Sequence, residues 1–244
     1  MTSPESDFYI IFHEAGAENP SIPTWASHRN NPFNLSSKYT ASVNRAEIPE
    51  IPGTFQIHNI LSSVECKTII EGTESMAYLE DAAVSLPRRI RHNHNVTWVA
   101  DDETVELIWN RCQPAVAGFE STMTQEKALG LNGRFRCYRY KPGDFFAPHT
   151  DGSWPGSRVI DGKLIDNAYP DRWSLMSIII FLSDNYQGGA TEFQVGDRKI
   201  AVRTPAGSAL CFPHGFHPMH CVHSSQPIEE GTKYIIRSDI LFSM

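Results

Sequence analysis

From Gly133 onward, short apolar runs alternate with turn-forming residues. RFRCYRY (134–140), SLMSIIIFLS (174–183), ATEFQV after Gly188-Gly189, KIAVRTP (199–205), SALCF (208–212) and TKYIIRSDILF (232–242) are rich in Val, Ile, Phe and Tyr. Gly or Pro separates most of them, a pattern that predicts β-strands. Upstream the apolar positions recur at helical spacing instead. In 62–78, Ser62 stands at a candidate N-cap, and Val64, Ile69, Ile70 and Met76 share a face. In DDETVELIWNRCQPAV, Asp101 or Asp102 precedes Val105, Ile108, Trp109 and Cys112, and Pro114 predicts the helix end.

Helices first, then short strands with long returns, predict a mainly β fold with flanking helices (α+β). Its core is expected to be a double-sheet jelly roll. Residues 1–50 are rich in Pro, Asn, Ser and Thr and read as an irregular N-terminal arm, docked in part through Trp25, Phe33 and Tyr39. Residues 51–244 read as a single domain, with helical support over about 60–130 and the jelly-roll core over about 134–242. The segment 152–172 is too long for an ordinary hairpin and reads as a functional lid or a disordered loop.

Composition narrows the function classes. The 244 residues carry 21 Lys and Arg against 28 Asp and Glu, a formal charge of −7, with no long basic run. Electrostatic capture of nucleic acid or of an anionic membrane is therefore not expected. Five cysteines without a CxxC pair do not make a disulfide framework. The N-terminus lacks a secretory pattern, and the apolar run Ile178 to Leu182 is far shorter than a membrane span. A soluble, cytoplasmic protein is the expectation; its oligomeric state is not legible.

The strongest local chemical signal is His149-Thr150-Asp151. Residues i and i+2 of an extended segment share a face, so an imidazole and a carboxylate can meet at one ion. A third ligand would give two His and one carboxylate, a set that leaves positions open on Fe(II). Candidates recur every three residues at His214, His217, His220 and His223. A separate zinc or nickel cluster is one reading of that tract. Pro218 argues against a helix that would align all four, so one ligand with three structural histidines is the expectation. Lys233 lies ten residues beyond His223 and opens the last strand, where a buried cation can bind a carboxylate.

YKPGDFFAPHTDGS, then SLMSIIIFLSDNYQGGATEF, PAGSALCFPHG and HSSQPIEEGTKYIIRSDILF resemble the prolyl 4-hydroxylase-like branch of the Fe(II)/2-oxoglutarate-dependent dioxygenases. The resemblance runs from about Arg134 to Phe242, under half the chain, and implies that the jelly-roll core is a double-stranded β-helix of the cupin-like kind. It implies iron ligands His149, Asp151 and His223, which are also the catalytic centre of a domain spanning 51–244. For 2-oxoglutarate it implies Lys233 and Tyr140 at the distal carboxylate and Ser177 facing the cosubstrate. Arg237, four residues past Lys233 on the same face, is read as binding a carboxylate of cosubstrate or substrate, or as a core salt bridge to Asp239 or another acid. This chain has more residues between CFPHG and His223 than the family shows, so His217 and His220 stay open as ligands.

The resemblance further implies oxidation, above all hydroxylation, of an unactivated C–H bond with release of succinate and CO2, ascorbate being an admissible reductant. The expected substrate is a small molecule such as an amino acid or natural-product intermediate. A prolyl hydroxylase acting on a peptide or protein is the alternative. A cupin-type metalloenzyme without 2-oxoglutarate, and a binding module with a vestigial triad, are the rivals. Trp154 and Trp173 flank the long loop and read as pocket-lining or packing residues. The basic cluster Arg88, Arg89, Arg91, His92 and His94 reads as a solvated loop, with an anionic-substrate contact as its other reading.

Overall fold

In the computed structural model, which describes residues 7–82, 86–120 and 127–244, the apolar segments become strands of two main sheets. The chain begins with β1 (Phe8–Glu14), β2 (Ile22–Ser27), β3 (Asn44–Glu47), β4 (Phe55–His58), α1 (Ser63–Ser75), β5 (Arg91–His92), β6 (His94–Val99) and α2 (Asp102–Glu120). Next come β7 (Ala128–Leu131), β8 (Arg134–Tyr140), β9 (Phe145–His149), β10 (Arg158–Ile160), β11 (Lys163–Ile165) and β12 (Arg172–Phe181). The last are β13 (Gln187–Gly188), β14 (Thr191–Val195), β15 (Arg198–Val202), β16 (Ala209–Pro213), β17 (Val222–Ser225), β18 (Ile228–Glu230) and β19 (Lys233–Ser243). The larger sheet runs β1-β2-β6-β8-β19-β12-β16-β4-β3, with β7 also paired to β19. The smaller runs β15-β14-β17-β9-β5.

Side-chain alternation on the central strands builds two cores. Ile236, Ile240 and Phe242 of β19, with Met176, Ile178 and Ile180 of β12, join Cys66, Ile69, Ile108, Cys112 and Val116 of the helices in one apolar cluster. Their neighbours Ile235, Ile179 and Phe181 take the opposite face. There they pack with Tyr138 and Tyr140 of β8 and with Phe193 and Val202 of the smaller sheet. Lys233 and Arg237 sit two residues either side of Ile235, so the same alternation sends both cations into the space between the sheets.

Local chemistry fixes the helices. Ser62 accepts the Glu65 N–H while the Glu65 carboxylate accepts the Ser62 N–H, a capping box. Glu65 also accepts from Arg111 of α2 at 2.8 and 3.1 Å, tying the two helices together. Val64 is 71% exposed, so the buried stripe of α1 is Cys66, Ile69 and Thr73 and leaves out the first expected position. α2 does not stop at Pro114 but continues to Glu120. The ring costs the helix one N–H bond, but the orphaned carbonyl belongs to exposed Asn110, and buried Ala115 and Val116 hold the last turns down.

The N-terminal arm is not irregular. β1 and β2 extend the larger sheet beside β6, and β3 pairs β4 at its far edge. Phe33 is buried against Phe8 and Trp98, with ring centroids 5.5 and 5.0 Å away. Residues 1–6 of the arm and 121–126 of the expected helical support lie outside the described residues. The long 152–172 segment carries a small hairpin, β10 with β11. Among the described residues no helix is long and apolar enough to cross a membrane, and all five cysteines are free.

Candidate active site

β9 and β17 are register partners at His149 and His223, which brings two imidazoles 74 positions apart in the chain to a centroid distance of 4.3 Å. Asp151 follows the end of β9. Its Oδ1 lies 3.7 Å from His149 Nε2 and its Oδ2 3.7 Å from His223 Nε2. One donor atom from each of the three lies within 4.8 Å of the others. Metal–ligand bonds of about 2.1 Å at right angles place donors about 3 Å apart, so a small inward movement suffices to hold one ion.

Protonation suits that role. The Nδ1 of His149 donates to Ala147 O at 2.9 Å, and that of His223 to Cys221 O at 3.3 Å. A carbonyl only accepts, so each Nε2 keeps its lone pair toward Asp151. Burial, reinforced by His223, takes His149 down to about 4. Burial lowers His223 as well. Burial acts to raise the Asp151 carboxyl, but the Arg237 guanidinium beside it outweighs burial and holds it well below the usual carboxylate range. Two neutral imidazoles and one carboxylate are the donor set of the facial triad of non-haem Fe(II) oxygenases.

Asp151 is oriented from behind. Ser177 donates to its Oδ2 at 2.6 Å, and Arg237 Nη2 lies 3.3 Å from the same oxygen. Since the Ser177 proton is spent on Asp151, its oxygen accepts from His214 Nδ1 at 2.8 Å. His214 Nε2 then accepts from Ser174 at 2.9 Å, and Ser174 in turn accepts the Trp154 N–H at 2.7 Å. This buried chain links the carboxylate to the loop after β9.

Two expectations change here. Ser177 is fully buried beside Asp151, is not among the residues that line the cavity, and gives its hydroxyl proton to the Asp151 carboxylate. Arg237 bonds Asp239 at 3.0 Å as well as Asp151, which realises the salt-bridge reading with Asp151 as an added partner. Both its acids are engaged, and they raise its affinity for the proton despite burial. Of the other histidines, His214 belongs to the chain behind Asp151. His217 is buried with its Nδ1 accepting from Met219 N at 3.2 Å, and His220 bonds His217 O at 3.0 Å.

A cavity of about 210 Å³ opens from the triad between the sheets. At one end stands Lys233, 1% exposed, with Tyr140 as its register partner and the Tyr140 ring 5.2 Å from Nζ. Nζ donates to Gly189 O at 2.7 Å and to Ser225 Oγ at 3.0 Å. The turn supplying that carbonyl needs glycine: Gly188 and Gly189 have φ of +70° and +63°, and a Cβ on Gly188 would stand 2.3 Å from Pro227 O. No carboxylate among the described residues lies within 4.0 Å of Lys233, and burial, with a contribution from Arg203, brings it down to about 7. A buried cation lacking an anion is a receptor for one.

The sequence reading missed several walls of this cavity. Arg136 and Tyr138 face it on β8, and the two-residue spacing from Tyr140 was the available signal. Arg91, read as part of a solvated loop, is 7% exposed and lies over the Tyr138 ring at 5.5 Å. Thr191, Ser224 and Ser225 complete the Lys233 end. Trp154 lines the cavity, whereas Trp173 does not.

Residues 135–238 match the family model of the 2OG-Fe(II) oxygenase superfamily. A PKHD-type hydroxylase of Sphingopyxis alaskensis is 28% identical over 99 residues, which cover 40% of this chain and 38% of that relative. The match thus spans less than half of the relative's length. A viral collagen prolyl hydroxylase from Paramecium Bursaria Chlorella virus-1, solved with 2OG, superposes with a TM-score of 0.51 at 18% identity, covering 79% of this chain and 97% of that one. A Pseudomonas putida prolyl-4-hydroxylase gives 0.52 at 15% identity over 77% and 91% of the two chains. A Trichoplax adhaerens prolyl hydroxylase, solved with a hypoxia inducible factor peptide fragment, gives 0.53 at 16% over 77% and 83%. These likenesses establish the double-stranded β-helix fold.

Proposed function

We propose that this chain, a 2OG-Fe(II) oxygenase over residues 135–238, hydroxylates an unactivated C–H bond of a small molecule. His149, Asp151 and His223 would hold Fe(II). Lys233 would take the distal carboxylate of 2-oxoglutarate with Tyr140 beside it. The observation that carries the reading is one cavity with a three-donor metal set on its wall and an anion-free, buried lysine at its end. Bound Fe(II) supplies dioxygen activation coupled to decarboxylation of 2-oxoglutarate, which yields succinate and CO2 as the substrate is oxidised.

The chain's own residues supply order. The two backbone carbonyls at Ala147 and Cys221 fix the imidazole tautomers, and Ser177 with Arg237 keeps Asp151 ionised and aimed. Lys233 and the serine at 225 set the depth at which a diacid stops. Phe146, stacked on the His149 ring at 3.6 Å, shields that ligand from water. Holding the reactants in one geometry is the larger part of what such a protein contributes. Hydroxylation of prolyl residues in a peptide or protein is the second reading, supported by the prolyl hydroxylases among the fold neighbours.

Equilibrium binding of 2-oxoglutarate to the metal-loaded protein tests the assignment of Lys233. Lys233→Ala should weaken it by about 100-fold, the worth of a buried charge-assisted pair, with metal affinity unchanged. Undiminished affinity would take Lys233 out of the cosubstrate site.

A further inference from the structure

Charge in the cavity is distributed unevenly. Arg237 is taken up by Asp151 and Asp239, and under the preceding reading Lys233 is taken up by 2-oxoglutarate. Arg136 is left. It is the register partner of Arg237 on the neighbouring strand, part-buried in the cavity wall. Among the described residues no hydrogen-bond acceptor or carboxylate engages its guanidinium. The Trp154 ring covers it at 4.9 Å. Burial, with Arg237 alongside, lowers its proton affinity to about 10 against an opposing pull from Tyr138 and Asp239. Arg91 adds a second positive group to the same cavity, with its guanidinium 5.8 Å from the Phe146 ring.

2-Oxoglutarate does not fill this vacancy while it occupies Lys233. Lys233 and Arg237 are four residues apart on one strand, a separation of about 13 Å, and Arg136 stands at the Arg237 end. Under that reading the two carboxylates of 2-oxoglutarate would both be committed, one to Lys233 and the other to the metal, so neither is left for Arg136. The planar fork of arginine presents parallel N–H donors that match a carboxylate, and the aromatic face above it keeps the fork flat and dry.

We propose that the substrate is a small carboxylic acid whose carboxylate is bound by Arg136 beneath Trp154, at the end of the cavity opposite Lys233. The proposal rests on the oxygenase reading and names its substrate class: a free acid, such as an amino acid with its carboxylate intact. An interior residue of a peptide chain lacks the group that Arg136 would bind. The acid is held near Arg237 and Asp151, so a C–H bond a few atoms from its carboxylate would face the metal.

The test is a binding screen by calorimetry on the protein loaded with Zn(II) and 2-oxoglutarate, which prevents turnover. The probes are small carboxylic acids, the amino acids among them, each paired with its primary amide. Acids should bind and their amides should not. Arg136→Gln should weaken the best acid by roughly 10- to 100-fold, the loss of a hydrogen-bonded charge pair, while 2-oxoglutarate affinity stays unchanged. Arg136→Lys should recover part of the loss. Because the guanidinium has no anionic partner among the described residues, Arg136→Gln should lose no more than its contact with the Trp154 ring and unfold within a few degrees of the parent, whereas loss of a buried structural ion pair would cost far more. Equal binding of acid and amide, acid binding that survives Arg136→Gln, or no acid bound while 2-oxoglutarate binds overturns the proposal. A fall in 2-oxoglutarate affinity in Arg136→Gln also overturns it, by moving Arg136 to the cosubstrate. Failure of 2-oxoglutarate itself to bind the parent would instead sink the oxygenase reading.

Discussion

Replacing Lys233 with Met should make the protein more stable and less able to bind 2-oxoglutarate. The side chain is 1% exposed, and burial brings its pKa from 10.5 down to about 7. That drop corresponds to about 5 kcal/mol for holding the ammonium form in the folded protein. The charge is offset in part by hydrogen bonds to Gly189 O and Ser225 Oγ. Losing both, and leaving their acceptors dry, costs about 3 kcal/mol. Met fills a similar volume among Tyr140 and Phe181, so Lys233→Met should gain about 2 kcal/mol near pH 7. For a chain of this size that is a rise of about 4–8 °C in the melting midpoint. The sign with pH follows from linkage. The folded state binds fewer protons than the unfolded state between about pH 7 and 10.5, so wild-type stability climbs across that window, and the advantage of Met shrinks there. Below pH 7 the difference is constant. Cosubstrate binding runs the other way: it needs the ammonium form and should fall by up to tenfold per pH unit above 7. Thermal unfolding from pH 6 to 10 and calorimetric titration with 2-oxoglutarate read both effects. A Lys233→Met protein less stable than wild type at pH 7, or one that binds 2-oxoglutarate as tightly, would refute the reasoning.

Arg237→Met leaves Asp151 and Asp239 as uncompensated buried acids. The metal-free protein should lose about 3–5 kcal/mol in denaturant titration, and less when a divalent ion is present to supply the missing charge. Ser177→Ala removes the donor that aims Asp151 and should weaken metal binding about 10- to 100-fold in competition with a chelator, with little change in fold by circular dichroism. Ser62→Ala breaks the capping box of α1 and should cost about 1 kcal/mol, lowering the melting midpoint by about 2–4 °C without altering 2-oxoglutarate affinity.

What the sequence made legible follows from how local each signal is. His149 and Asp151 are two residues apart, and the i, i+2 geometry of an extended segment puts them together whatever the rest does. The ten-residue offset to Lys233 favours His223 only through the family resemblance, which leaves His217 and His220 open. The fate of Arg237 was not, because its acids lie on the same strand at Asp239 and across the site at Asp151, and only the folded chain decides that both are within 3.3 Å. Arg136 and Arg91 were hidden for a similar reason. Arg136 occupies the inner face of β8 by simple alternation with Tyr140, yet a positive residue in a strand ordinarily goes to solvent. Arg91 is turned inward by the pairing of β5 with β9. In the arm, β1 carries Ile10 and Phe12 at 43% and 56% exposure, so its apolar pattern does not alternate like a half-buried strand. Its place comes from pairing with β2, which is anchored on β6. Pro114 by its local chemistry predicts a stop, and the packing of Ala115 and Val116 overrides it.

The central claim is that His149, Asp151 and His223 hold an iron to which 2-oxoglutarate binds. Anaerobic titration of the metal-free protein with Fe(II) and 2-oxoglutarate, followed by visible absorption, tests it most directly. A 2-oxo acid chelated to Fe(II) gives a weak charge-transfer band, which should appear at one equivalent of each in the parent and be missing in His149→Ala. Tight iron binding with no such band would contradict the account and leave a metalloprotein that does not use 2-oxoglutarate.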